Sequence, residues 1–419
     1  EVFPMIIIDG PAELCGEISI QGAKNSALPI LAATVLCKGQ SVLHNCPDLT
    51  DVETAVRILE HLGCRCAREG SDLVVDNAMT GCEVPQELMR EMRSSIVFLG
   101  AIVSRCGEAR LCFPGGCELG PRPIDLHISS LQKLGVEIEE RGGCLQCQAP
   151  GGIQGAYVSL SFPSVGATEN LMLAAVCSKG TTIIANAARE PEIADIAAYL
   201  NRCGGRIYGA GESCVIIDGV KELFGSEHRM MPDRIVSATY MAAAAVTGGS
   251  VTLRDVDNAH ILPMLSPFEE SGCEVRQMGG SLNIMAPRRL MPVKHIRTMP
   301  YPGFPTDAQP VVMSMAAVGS GTSVFVENIF ENRYRHAEGL QRLGAKIKVE
   351  GKVAIVEGVD RLAGAPVEAW DLRGGAALVV AGLAARGRTE IEGVEYIRRG
   401  YEDIAGNLAL LGARIREAD

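Results

Sequence analysis

The sequence predicts an α/β protein of two domains, each an inside-out α/β barrel built from three βαβαββ repeats. Three observations carry this expectation. A glycine that closes a helix-like run recurs at Gly63, Gly135, Gly204, Gly272, Gly344 and Gly412, at intervals of 72, 69, 68, 72 and 68 residues. A second series, Gly39, Gly107, Gly180, Gly248, Gly321 and Gly387, interleaves with the first. Self-similarity of this kind marks repeated supersecondary units. It also aligns the chain with itself, so that shared positions read as scaffold and divergent ones as candidates for function. The third observation is that residues 5–10, MIIIDG, match VIIDG at 215–219.

The repeat is plainest at 157–219. YVSLSF alternates as a strand does, and SVGATENLMLAAVCSKG reads as an Ala-rich helix, apolar nearly all round and therefore buried. TTIIANAA is a β-branched strand, EPEIADIAAYLNRCGG an amphipathic helix with one polar face, and RIYGAGESCVIIDG two short strands. Such a unit wraps sheets, solvated on one face, over inner helices. The sixth repeat stops at ARIREAD without its last strand, and residues 5–10 supply it. One domain is therefore discontinuous, 1–21 with 231–419, and the other spans 22–230. Two connections join them, which implies a hinged cleft.

The totals bound the function. Thirty-nine Lys and Arg against 50 Asp and Glu give a net charge of −11, with no basic stripe or tail to hold nucleic acid. Fifteen cysteines, an odd number, read as reduced thiols of a cytoplasmic protein rather than a disulfide framework. No apolar run approaches the length of a membrane span, and EVFPM is neither a signal nor a targeting peptide.

With the repeats aligned, the inner-helix N-termini carry Lys24–Asn25, Arg93–Ser94, Ser164–Val165–Gly166, Asp233–Arg234, Thr306–Asp307 and Asp371–Leu372–Arg373, each 14 to 16 residues before its series glycine. Helix N-termini present free N–H groups and favour anions, so several pointing inward would focus positive potential. Ser, Asn and Asp there are adequately explained as caps. Lys24, Arg93 and Arg373 are not, because a cation opposes the helix dipole.

The loops leading into the outer helices add Arg122, Glu190, Arg333 and Arg399, and a guanidinium suits carboxylate and phosphate ligands. Thr50 and Glu53 read as a capping box. The loop PGGCELGPRPIDLH, 114–127, departs most from its counterparts and reads as a lid. Within it, Cys117 stands near several arginines, which favour thiolate. Cys144-x-x-Cys147 has the spacing of a metal or redox pair, but internal alignment puts it on an ordinary repeat strand. The histidines show no metal-ligand spacing, and Trp370 reads as packing.

Taken together, GAKNSALPILAA, MRSSI, PGGCELGPRPIDLHISSL, PSVGATEN, NAAREPEI, MPDRI, FPTDAQ, IFENRY, DLRGGAALVVAG and IRRGYE resemble the enolpyruvyl transferases over essentially the whole chain, and among them the members that act on UDP-N-acetylglucosamine. The resemblance implies the same two-domain fold of six βαβαββ units. It implies transfer of the enolpyruvyl group of phosphoenolpyruvate to the 3′-hydroxyl of UDP-N-acetylglucosamine with release of phosphate, a first committed step of peptidoglycan synthesis. Neither a cofactor nor a metal is implied. Carried over, Lys24, Arg122 and Arg399 hold phosphoenolpyruvate, with Arg373 in support. Asp307 accepts the sugar hydroxyl proton, and Cys117 donates a proton and is the site of alkylation by fosfomycin. Asn25, Arg93, the stretch Arg122, Pro123, Ile124, Asp125 and Leu126, then Ser164, Val165, Gly166, Asp307 and Ile329 contact the nucleotide sugar. Glu190 orients the arginines. Val97 stands where some members carry a bulky aromatic, and Phe162–Pro163 precedes Ser164 where some carry a basic residue.

Overall fold

Six buried helices follow from the six apolar runs of the sequence: α1 (Lys24–Thr34), α2 (Phe98–Cys106), α3 (Val165–Ala175), α4 (Arg234–Thr247), α5 (Gln309–Ala317) and α6 (Leu372–Ala384). They belong to a computed structural model that describes residues 4–92, 94–113 and 124–418. In α3 every residue from Ala167 to Ala175 is buried, as an all-round apolar helix requires. The outer helix Pro191–Arg202 instead buries one stripe that includes Ile193, Ile196, Tyr199 and Leu200. The strands alternate between core and solvent, as in Cys214–Asp218, where Val215 and Ile217 face inward.

Contacts divide the chain into two compact bodies, with breaks between Gln21 and Gly22 and between Met231 and Pro232. Each has its own apolar core, one running through Ala27, Leu31 and Ile184, the other through Ile6, Met241 and Val379.

Among the described residues, the six sheets share one plan. In the third, Tyr157–Ser159 runs parallel to Thr181–Ala185, which pairs antiparallel with Cys214–Asp218, which pairs in turn with Ile207–Tyr208. In the sixth, Pro366–Glu368 and Gly387–Glu392 take the first two places, Met5–Gly10 the third and Ile415–Ala418 the last. The N-terminal strand thus completes the sixth repeat, as its likeness to VIIDG implies. Two further exchanges close the bodies. Cys15–Ser19 supplies the first strand of the fourth sheet, and Leu223–Phe224 with Glu227–Arg229 supplies that of the first.

Both glycine series occupy left-handed backbone, at φ of 87° to 106° for the six that begin with Gly63 and 68° to 93° for the six that begin with Gly39. Only glycine adopts this region freely, which explains why these positions repeat. Gly100 has a different reason. A Cβ there would lie 2.3 Å from the Asn170 carbonyl oxygen, so its absence lets α2 and α3 touch. At that contact Asn170 of α3 accepts a hydrogen bond from the Gly100 N–H at 2.7 Å, giving the first turn of α2 the cap its own sequence lacks.

Two local expectations are corrected. The helix Thr50–His61 is preceded by Leu49 as its cap residue, so Thr50 lies one residue inside the helix rather than at its cap. The cysteines are not all reduced: Cys112 and Cys144 are joined by a disulfide. They are direct cross-strand partners in the second sheet, a pairing that depends on strand register and is invisible in sequence spacing.

Candidate active site

In the first domain, Lys24 is the first residue of α1, and its Nζ lies 2.5 Å from the Asp51 carboxylate at the start of the adjoining outer helix. Both are largely buried, so an ammonium group at a helix N-terminus is paired with a carboxylate that the sequence did not single out. Asn25 follows, half-buried. Ser164 caps α3 by accepting the Ala167 N–H at 3.3 Å, leaving Val165 and Gly166 half-buried in its first turn. A Cβ on Gly166 would come 3.0 Å from the His127 ring. His127 in turn meets the Asn170 amide at 2.8 Å. This contact docks the helix Asp125–Lys133 on α3, with Ile124 at its cap position and Asp125 and Leu126 in its first turn. Arg93, Cys117, Arg122 and Pro123 lie outside the described residues. Val97 is buried and Phe162 exposed.

The same helix α3 buries Glu169. Desolvation pushes its carboxyl well above the usual carboxylate range, and Glu192 and Glu190 push it further. Glu190, at the cap position of Pro191–Arg202, accepts a hydrogen bond from the Arg189 N–H at 3.1 Å.

In the second domain the structure joins the loop arginine Arg333 to the inner-helix residues Thr306, Asp307, Asp371 and, through Asp307, Arg373. Arg333, only 1% exposed, donates through Nη2 to Asp307 Oδ1 and through Nε to the carbonyl and hydroxyl oxygens of Thr306, each at 3.1 Å. Its Nη1 lies 3.8 Å from Asp371 Oδ1. Arg373 Nη2 reaches the other Asp307 oxygen at 3.4 Å. The Asp307 carboxylate is therefore clasped by two guanidinium groups, the arrangement that best fixes its plane. Burial opposes the charge on Arg373, but Asp307, Tyr401 and Asp233 outweigh it and hold the guanidinium pKa above its ordinary value.

Arg399 lies half-buried in the turn after the short helix Val394–Ile397. That turn is pinned on both sides. Gln21 donates to the Gly400 carbonyl at 3.2 Å and accepts from the Glu402 N–H at 3.1 Å. Tyr401 packs under the Arg373 guanidinium, 5.9 Å from its ring centre, and shares a 2.8 Å hydroxyl bond with Thr239 of α4. Trp370 has a partner of its own, since Arg335 lies 4.1 Å over its ring.

Two of the inner-helix N-termini are capped by carboxylates. Asp233 accepts from the N–H groups of Ile235 and Val236, and Asp371 from those of Arg373 and Gly374, so carboxylates meet two of the free donors of each of α4 and α6. Positive charge is presented by side chains, and Arg373 sits in a helix whose dipole is offset by its own cap.

His336 follows Arg333. Its Nδ1–H donates to the Arg333 carbonyl at 2.9 Å, and burial pulls its pKa down to about 4 from 6.5. The folded state thus refuses a proton that the unfolded chain accepts. The stability from this neutral imidazole is whole above about pH 6.5 and is lost as pH falls towards 4, about 3 kcal/mol over the full span. Urea unfolding followed by Trp370 fluorescence at pH 7.5 and pH 5 should show the loss, and His336→Gln should reduce it. Equal pH sensitivity in the variant would contradict this assignment.

Among the described residues no helix is long and apolar enough to cross a membrane, and no group of three His, Cys, Asp or Glu is placed to hold a metal.

The sequence profile of the EPSP synthase (3-phosphoshikimate 1-carboxyvinyltransferase) family matches residues 8–408. The chain belongs to this family. A UDP-N-acetylglucosamine 1-carboxyvinyltransferase 2 from Caldanaerobacter subterraneus subsp. tengcongensis is 50% identical over 97% of this chain and 98% of its own length. A UDP-N-acetylglucosamine 1-carboxyvinyltransferase 1 from Symbiobacterium thermophilum is 47% identical over 98% and 94%. Among solved structures, the enolpyruvyl transferase NikO from Streptomyces tendae superposes with a TM-score of 0.89 over 100% of this chain and 99% of its own, at 24% identity. An EPSP synthase from Acinetobacter baumannii superposes at 0.76 with 17% identity, over all of both chains. At those identities the solved structures speak for the fold alone, which is the six-repeat α/β fold the glycine series implies.

Proposed function

We propose that this protein is an enzyme that transfers the enolpyruvyl group of phosphoenolpyruvate to the 3′-hydroxyl of UDP-N-acetylglucosamine, releasing phosphate, as the first committed step of peptidoglycan synthesis in the cytoplasm. The observation that carries the reading is the 50% identity, spread over 97% of the chain, to a relative that bears that activity in its name.

The chemistry accounts for the residues. Protonation of the methylene carbon of phosphoenolpyruvate makes C2 electrophilic, and the sugar oxygen adds there as its proton leaves. Loss of phosphate and of a methyl proton from this adduct restores the enol. Two anionic substrates and a charged transition state call for preorganised cations. In this reading Lys24, Arg122 and Arg399 bind phosphoenolpyruvate and Arg373 supports them. Asp307 takes the hydroxyl proton from the acceptor, with its carboxylate plane set by Arg333 and Arg373. Cys117 supplies the proton to the methylene carbon and is the residue fosfomycin alkylates. Asn25, Arg93, Arg122 to Leu126, Ser164 to Gly166, Asp307 and Ile329 line the nucleotide-sugar site.

Phosphate release from phosphoenolpyruvate tests the reading, with UDP-N-acetylglucosamine or shikimate 3-phosphate as acceptor, each with and without fosfomycin. Release with the nucleotide sugar alone, abolished by fosfomycin, is expected. Release only with shikimate 3-phosphate would replace the acceptor, and release with neither would remove the enzyme assignment.

A further inference from the structure

Glu327, 2% exposed at the end of the strand Thr322–Val326, is a buried carboxylate bonded only to neutral donors among the described residues. The Thr306 hydroxyl lies 3.1 Å from both of its oxygens, the Ile329 N–H donates to Oε1 at 2.8 Å and the Phe330 N–H at 3.1 Å. An ionised group without a bonded cation is expensive to bury, so its place here calls for a reason.

The hydroxyl of Thr306 supplies one. It has a single hydrogen and two lone pairs. An ionised Glu327 can only accept, and Arg333 Nε–H can only donate, at 3.1 Å from the same oxygen. Charge at either end therefore fixes the rotor: the hydrogen points to Glu327 and a lone pair to Arg333. Arg333 then has its Nε edge anchored on Thr306 and its Nη2 directed at Asp307. Through Ile329 and Phe330 the same carboxylate also shapes a segment assigned above to the nucleotide sugar.

We propose that Glu327 and Thr306 form a positioning relay that holds Arg333, and through Arg333 the Asp307 carboxylate, in the orientation that receives the acceptor's proton. The inference rests on the proposed transfer reaction and on Asp307 as its base. Neither relay residue touches the reacting atoms; both act through Arg333.

Thr306→Val keeps the β-branched shape and removes the hydroxyl, whereas Thr306→Ser keeps the hydroxyl. Expected is a fall in kcat of about 10- to 100-fold for Thr306→Val, the scale of a small misplacement of a reacting group, with KM for phosphoenolpyruvate within about threefold. Thr306→Ser should restore kcat to within about threefold of the wild type. Glu327→Gln keeps an acceptor for the two backbone N–H groups but removes the charge that orients the hydroxyl. It should lower kcat as Thr306→Val does, and it carries the test if that variant does not fold. Equal kcat for the Val and Ser variants, with wild-type kcat for Glu327→Gln, would overturn the relay and leave the transfer reaction standing. Loss of folding in both Thr306→Val and Glu327→Gln would make the pair structural and also overturn it. Wild-type protein that releases no phosphate with the nucleotide sugar would instead bring down the function reading and the relay with it.

Discussion

Asp307→Asn is expected to lower kcat by roughly 10²- to 10⁴-fold, the usual contribution of a positioned general base. Asparagine fits the same space and still accepts a hydrogen bond through its carbonyl oxygen, so Arg333 Nη2 keeps a partner. The amide cannot take a proton from the sugar hydroxyl, and where its NH2 faces Arg373 Nη2 it presents a donor to a donor. Part of the loss is therefore electrostatic, since two buried guanidinium groups would share one fewer negative charge. Calorimetric binding of UDP-N-acetylglucosamine separates the two contributions. Near-normal affinity with a collapsed kcat marks a residue needed in the transition state, whereas a loss confined to affinity would mark a substrate anchor. A kcat within tenfold of the wild type would rule out Asp307 as the base.

Arg333→Met should destabilise the second domain by about 3–5 kcal/mol, the scale seen when one partner is removed from a buried ion pair. Methionine fills much of the arginine stem's volume but leaves Asp307 and Asp371 short of a cation and Thr306 short of a donor. The chain has a single tryptophan, Trp370, adjacent to Asp371, so its fluorescence during urea unfolding reports on this domain. Arg333→Lys should fall between, because an ammonium keeps the charge but cannot span Asp307 and Thr306 with a planar fork. An unchanged urea midpoint for Arg333→Met would mean that the network is not structural.

The fold was legible because its signals are local and repeated. Left-handed backbone at twelve equivalent positions demands glycine each time, and a buried helix announces itself by being apolar all round. Even the discontinuity was readable, since Met5–Gly10 carries the pattern of the strand it replaces. The candidate site was legible one residue at a time: internal alignment singled out Lys24, Arg93 and Arg373 as departures from a shared scaffold, and motif resemblance supplied roles for them and for Asp307.

Partners were not legible. Arg333 stood out only as one loop arginine among several, and Asp51 and Glu327 gave no signal of their own, because a carboxylate in sequence looks alike whether it is solvated or holds a catalytic segment. The Cys112–Cys144 pair was missed for the same reason, and so was the Asn170 cap on α2, supplied from another helix. By itself, then, the sequence determined the repeat, the elements and the kinds of charged group available, all of which depend on near neighbours along the chain. Only the tertiary structure decided which carboxylate faces which guanidinium, which hydroxyl is fixed between them and which histidine is buried neutral. Those outcomes depend on register, helix packing and desolvation, which act between residues tens to hundreds of positions apart.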